Sequence, residues 1–433
     1  MSKKFLPLIS ILLILSFALA ACSPKTTEAP VVEEPVAEEP APETEAPVAE
    51  ETEVAAPAEE ELTGTVTIWH SKKNEETNSL NAIVIAFKEK YPGVEFEQLF
   101  VPADDLRNKF ETAVATGSGP TMIIGNADWG PASYDAMLVQ DLTPMMTPGL
   151  MDTLNDAAAN SVRYKDAIVG LPINLKGVLL FRNKSIVPEP AADWNDLIAK
   201  ATAATSGDVQ GMVFETGFFF AAGHLYALGA DLMDTTSGVP TFNNEAGVAW
   251  LTALKNVKDA GIPTVNNSDD DVNLFKVGKA GMIIDGLWNV KALTDAIGAE
   301  NLVIDPWPAG MSGYVQNDNI YLTTSAAGDD ALATYKFMEF FVSPEAQAFW
   351  ASAGTPELPM AAGIPVVKGM EVTDPLAKQA IACFAGGTAF PVIPQMGVYW
   401  DPMNNAILSV LDKGTDPAVA LQEAFDSVSG AVK

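Results

Sequence analysis

The chain has 433 residues, 48% of them hydrophobic, and a net charge of −31 from 56 acidic and 25 basic residues. That apolar content is enough to bury sizeable cores, and the length predicts two or three domains. A surface this acidic, with no basic stripe, repels phosphate backbones and excludes nucleic acid as a partner.

The N-terminus reads as a targeting segment rather than a fold element. Lys3 and Lys4 precede an apolar run, "FLPLISILLILSFALA", too short and wrongly flanked for a stable membrane span. The run ends in Leu19-Ala20-Ala21-Cys22. This ending resembles the lipobox of bacterial lipoproteins, which implies a signal peptide over 1–21, cleavage before Cys22 and a lipid on the Cys22 thiol. An ordinary secretory peptide is the alternative. With Cys22 lipidated, Cys383 has no partner for an intrachain disulfide, and its setting in "AIACFAGG" reads as a small buried apolar residue.

Residues 23–62 contain 13 Glu and 7 Pro and no aromatic residue. Such a segment cannot bury enough apolar surface to offset its ordering entropy, and proline stiffness with like-charge repulsion keeps it extended. Residues 22–62 therefore read as a lipidated Cys and a tether. With the tether and the leader lysines set aside, the body from Thr63 onward still carries −21.

The body opens with a predicted strand, "GTVTIWH" (64–70), then a helix in which Leu80, Val84, Phe87 and Tyr91 fall at helical spacing and Pro92-Gly93 forms the stop. "VEFEQLF", "DDLRNKFETAVATG" and "PTMIIGNAD" continue as strand, helix and strand. Further elements are "GVLLFRN" (177–183), "PAADWNDLIAKATAA" (190–204), "VAWLTALKNVKDAG" (248–261) and "KAGMIIDG" (279–286). "NIYLTTSA" (319–326), a helical stretch over 331–354 and closing helices complete the chain. This alternation predicts an α/β fold with a mainly parallel sheet and helices on both faces.

Enzyme chemistry finds little purchase. His70 and His224 lack partners at metal-ligand spacing, "TGSGPT" (116–121) has no following Lys to make a phosphate loop, and the three Asp of "NNSDDDVNLF" lack the spacing of a calcium loop. No cofactor motif is present, and the body holds too many carboxylates for any one pair to signal a glycosidase. Aromatic residues at strand ends and helix starts stand out instead: Trp69, Trp129, Phe218 to Phe220, Trp288, Phe390, Tyr399 and Trp400. Strand C-terminal ends are where open α/β sheets bind ligands. Flat rings there, beside Asp128, Lys176 and Asn289, suit a sugar, whose C–H faces stack on rings and whose hydroxyl edge needs polar partners. Trp194, Trp250 and Trp350 sit in amphipathic runs and are predicted to be helix cores.

"GTVTIWH", "FKEKYPGVEFE", "ATGSGPTMIIGNADWG", "GLPINLKGVLLFRNK", "FKVGKAGMIIDGLW" and "IPQMGVYW" occur in the order found in the extracellular sugar-binding lipoproteins of bacterial ABC importers. From about Thr63 to the C-terminus the chain resembles this family, most of all its maltose/maltodextrin-binding branch. The resemblance implies a two-lobed periplasmic-binding-protein fold with a hinge crossed three times and a ligand cleft between the lobes. It puts an N-lobe at 63–172 and 320–372 and a C-lobe at 176–315 and 377–433, with crossings at "PINLK", "YVQND" and near "DPLAK". It implies a monomer outside the cytoplasmic membrane, held there by its lipid, that passes an oligosaccharide to ABC permease subunits without chemistry. Another sugar or polyol as ligand, a carbohydrate-active hydrolase, or a cleft serving a protein partner are the alternatives.

Carried over by position, Asp128 matches a sugar-hydroxyl acceptor, and Trp288 and Trp400 match stacking rings. Phe218 or Phe219 falls at an aromatic position, Phe390 at an apolar contact, and Trp69 behind the site. The chain departs from the branch where Gly125 replaces a ring that Trp129 is expected to supply. Lys176 stands in place of an acidic hinge residue. Asp401 and Asn404 stand beyond Trp400 in place of an aromatic and a basic residue, which makes Asp401 a further candidate. These departures keep the sugar class and put maltose itself in question. The prolines of "FPVIPQM" are expected to hold a turn that presents the Trp400 ring to the cleft, the alternative being that Trp400 caps its own helix core.

Overall fold

The computed structural model describes residues 61–352 and 363–432; the predicted signal peptide, Cys22 and the tether through Glu60 lie outside the described residues. Strands β1 (Gly64–His70), β2 (Val94–Phe100), β3 (Met122–Asn126), β4 (Leu171–Asn183), β5 (Met282–Gly286), β6 (Leu302–Asp305), β7 (Tyr314–Leu322) and β8 (Thr388–Ala389) form one sheet. Its order is β6-β4-β7-β3-β1-β2, with β5 also paired to β4 and β8 to β7.

The expected helices follow. Asn74–Lys90 carries Glu75 and Glu76 in its first turn and Lys88 and Lys90 in its last, matching the helix dipole at both ends. Trp194–Ala204 is capped by Asp193, whose carboxylate accepts from the amides of Asn195 and Asp196.

The sheet is less parallel than the strand–helix alternation predicts. β1 runs parallel to β2 and β3, and β7 to β8, but β4 and β7 are antiparallel to each other, β7 to β3, and β4 to β5 and β6. Alternation implies parallel pairing where a helix returns the chain to the same edge. β4 and β7 instead run in opposite directions through one passage between two apolar cores. Leu171 and Ile173 of β4 lie in the core that holds Val66, Phe87 and Trp350. Farther along the same strand, Val178 and Leu180 join the core of Phe214, Trp250 and Tyr399, while Leu179 and Phe181 face a third cluster with Ile283 and Cys383. β7 makes the reverse journey, from Tyr314 in the second core to Ile320 and Leu322 in the first. The chain passes between the cores a third time between Val367 and Leu376.

Trp250 and Trp350 are fully buried, as predicted. Trp194 is half-buried; its indole stacks on Phe214 and donates from Nε1 to the Gly310 carbonyl at 2.7 Å. Cys383 is buried, and burial pushes its thiol pKa up to about 12. Among the described residues no helix is long and apolar enough to cross a membrane.

Candidate binding cleft

A cavity of about 670 Å³ opens where the C-terminal ends of β1, β3 and β5 approach the passage strands. Its floor is polar: Asn174 and Lys176 come from β4, and Gln316 and Asp318 from β7. One wall comes from the first lobe, through Lys72 and Glu76 beyond β1 and Gly125, Asn126 and Trp129 at the end of β3. The other comes from the second lobe, through Phe219, Leu287, Trp288, Asn289 and Trp400. The size is within the roughly 300–1,000 Å³ common for small-molecule sites.

The second wall is a run of rings. Phe219 is centred 6.3 Å from Trp288 and 6.4 Å from Trp400, on which it stacks at 23°. Trp288 is 40% exposed and borders the cavity. Phe219 is the second residue of the helix Phe218–Ala227, and Trp400 opens Trp400–Lys413, behind the turn Pro394–Val398. The first residue of the helix that follows this proline-containing turn therefore borders the cavity. Tyr399 turns the other way, into the core, and donates its hydroxyl to the Gly238 carbonyl at 2.7 Å.

Several candidates are displaced from the cavity surface. Phe218 is 1% exposed and packs edge-on behind Trp400, because successive helical residues diverge by about 100° and cannot both face the ligand. Phe390 is buried between Tyr314 and Trp400 and backs the wall. Asp401, one residue past Trp400, faces solvent. Asp128 is buried and does not line the cavity; burial pushes its carboxyl up to about 6 against the opposing pull of Arg107, and its Oδ1 has no hydrogen-bond partner. Trp69 packs beneath Lys109 with the cluster of Phe110 and Trp129. Trp129 lies over Gly125, where a methyl group would overlap its ring. It occupies the space that a side chain at 125 would take, although it is mostly buried.

The floor holds residues the sequence reading named only as a hinge or passed over. Asp318 accepts from Lys72 Nζ at 2.5 Å and Asn174 Nδ2 at 3.0 Å, and pairs with Lys176. Burial alone would raise its pKa, but the Lys176 and Lys72 ammoniums outweigh it and hold the carboxyl well below the usual range. Lys72 also bonds Glu76 at 2.9 Å, and its pKa is raised by both acids in spite of burial. Lys176 reaches Asn126 Oδ1 at 3.2 Å and lies 5.9 Å from the Trp288 ring centroid, so it touches both walls. The signal was present in "YVQNDN": Gln316 to Asn319 are four consecutive polar residues inside a strand whose two ends are apolar.

A second acidic group lies behind the ring wall. Glu215, Asp271 and Asp285 are buried without an ion pair among the described residues. Burial, aided by their mutual repulsion, pushes Asp271 up to about 8 and Asp285 to about 7. Asp285 accepts from Asn289 Nδ2 at 2.7 Å, next to Trp288. Among the described residues no three His, Cys, Asp or Glu side chains are placed to hold a metal. His70 and His224 are buried, and each accepts a backbone N–H at 3.1 Å, from Lys72 and Ser312.

Residues 82–378 match the family model described as bacterial extracellular solute-binding protein. The chain is 23% identical over 382 residues to a maltotriose-binding protein of Pyrococcus abyssi, covering 84% of this chain and 80% of the relative. It is 24% identical over 389 residues to a galactooligosaccharide-binding protein of Bacillus subtilis, covering 84% and 89%. The fold is similar to that of the GacH receptor of Streptomyces glaucescens, solved unliganded and with acarbose, at a TM-score of 0.77 and 22% identity over 86% of this chain and 99% of that one.

Proposed function

The chain belongs to the bacterial extracellular solute-binding proteins, and from that premise we propose that it captures an oligosaccharide between two lobes for an ABC importer. A maltodextrin is the first candidate, a different sugar or a polyol the second. The observation that carries this reading is the run Trp288–Phe219–Trp400 facing a polar floor across one cavity. Rings take the C–H faces of successive sugar units, and Lys176 with its neighbours takes hydroxyls. The likeness to maltotriose- and galactooligosaccharide-binding relatives supports the ligand class.

In this reading the lobes fall at 63–172 with 320–372 and at 176–315 with 377–433, in keeping with the separate apolar cores. A ligand touching both walls favours the closed arrangement because only closure makes both sets of contacts. Trp129, Lys176, Phe219, Trp288 and Trp400 make direct contact, and Asp128 supports the first wall from behind. Cys22 carries the lipid, the tether of residues 23–62 holds the body off the membrane, and the protein delivers its ligand as a monomer to permease subunits. No chemical step is assigned to the cleft.

The test is calorimetric titration of the purified protein with maltotriose, longer maltodextrins, galacto-oligosaccharides, monosaccharides and polyols, followed by chromatography of the sugars. Saturable binding with chain lengths unchanged is expected. Shortened chains would establish a hydrolase, and binding confined to monosaccharides or polyols would remove the oligosaccharide class.

A further inference from the structure

Gln316 is 7% exposed and lines the cavity floor, and its Oε1 is buried without a hydrogen-bond partner. A buried amide in that condition costs stability that an aliphatic side chain of the same length would not. Its place in the ladder is directly opposite Lys176, since β4 and β7 pair Gln316 with Lys176. Cross-strand partners present their side chains on the same face of a sheet. The Lys176 ammonium is already held by Asp318 and Asn126, which engages two of its three protons and fixes it near the Trp288 ring. One ammonium proton and an unmatched amide oxygen thus belong to cross-strand neighbours that both line the cavity together with Trp288.

We propose that Gln316 and Lys176 form a hydroxyl-reading subsite that recognises one hydroxyl of the sugar unit stacked on Trp288. A hydroxyl is the complementary group because it donates and accepts at once. It donates to Gln316 Oε1 and accepts from Lys176 Nζ. An ether or a methyl group at that position leaves the amide oxygen bare, so the pair discriminates between sugars of equal size. Gln316 is the specificity-determining member, whereas Lys176 also serves the Asp318 network. The inference rests on the oligosaccharide reading and adds the atoms that choose among such ligands.

The experiment uses full-length protein in detergent, with the best-bound oligosaccharide of the panel above and its monodeoxy derivatives as probes. Gln316→Met keeps the side-chain length and removes the amide. It is expected to weaken binding about tenfold, the cost of one lost hydrogen bond of roughly 1.4 kcal/mol, with an unfolding temperature unchanged or raised. One monodeoxy derivative that binds the parent protein more weakly should bind Gln316→Met as well as the parent sugar does. Gln316→Met binding that falls equally for every derivative, or does not fall, overturns the subsite. So does a lowered unfolding temperature with unchanged affinity, which would make the amide a structural group. A parent protein that binds no oligosaccharide overturns the reading beneath it and the subsite together.

Discussion

The cleft's two walls are built on the same plan and put to different use. On the first lobe Gly125 is the penultimate residue of β3, with Trp129 folded back over it and Asp128 buried nearby. On the second lobe β5 ends at Gly286, with Trp288 folded back over it and Asp285 buried beside it. In each case a side chain on the glycine would overlap the indole. Yet Trp129 is 9% exposed among Leu106, Phe110 and Tyr321, and Trp288 is 40% exposed. One tryptophan is largely packed into a core and the other leaves much of its ring open, although both border the cavity. What separates them is whether apolar residues cover the outer face of the ring.

Four substitutions or pairs test that contrast. The largest effect belongs to the charge network beneath the first wall. Asp318→Ala leaves Lys72 buried with Glu76 alone and should lower stability by about 3–5 kcal/mol, read as a shift in denaturant midpoint. A loss below about 1 kcal/mol would mean that water, not Asp318, satisfies the lysines. Next, Trp129→Ala should cost about 3 kcal/mol of stability, as for a large core ring. Trp400→Ala should cost about 1–2 kcal/mol of sugar affinity, up to roughly thirtyfold in Kd, with a smaller change in unfolding. Equal loss of stability in both would place Trp400 in the core as well.

Much of this was legible in the sequence, for definite reasons. Trp288 and Trp400 follow a strand end and a proline-stiffened turn, positions where a ring has space on one side. The choice between Phe218 and Phe219 was not legible, because a helix start two residues earlier or later exchanges which ring faces inward. Asp401 was misplaced for the same cause: one step along a helix rotates a side chain by about 100°. Asp318 and Gln316 were read as hinge, since a sequence does not show which strand will lie opposite. Once β4 and β7 are paired, the polar run "QNDN" has a partner in Asn174 and Lys176 and becomes a floor. The mainly parallel sheet failed because strand–helix alternation carries no record of which lobe a strand comes from.

The glycine pair gives a subtler test. Gly125→Ala pushes on a ring that is locked in a core and should destabilise by about 1–3 kcal/mol as overpacking. Gly286→Ala pushes on a ring that can swing into solvent, so stability should hold while sugar affinity falls. Titration of binding and thermal unfolding on the two variants would separate these, and a stability loss at Gly286 as large as that at Gly125 would erase the distinction.

The last test concerns pH. Asp271 and Asp285 ionise in the folded state near 8 and 7, against 3.8 when unshifted. The unfolded chain therefore releases these protons first, and their contribution to stability declines as pH rises from about 4 to about 8. Asp318 acts in the opposite sense, because its lowered pKa adds stability that disappears as pH falls below the ordinary carboxylate range. Asp271→Asn should flatten the decline in unfolding temperature between pH 5 and 8 (roughly the span between the two ionisations). An unaltered slope would show that the group behind Trp288 does not set it.

Two of the three passages between the lobes are made of paired strand rather than loose linker. Gly177 faces Val315 and Lys176 faces Gln316 in a continuous antiparallel ladder, interrupted by a single irregularity between Asp318 and Asn319. Gly177 lies so close to the Tyr314 carbonyl that a side chain there would collide with it. Such a ribbon behaves as a flexure: it resists stretching and sliding and yields mainly in twist, with the irregularity as its softest point. The lobes then have few directions in which to move. Because the ladder residues are already ordered before any ligand arrives, closing the flexure immobilises little additional backbone, and the contact energy of a ligand is not consumed in tying down a linker.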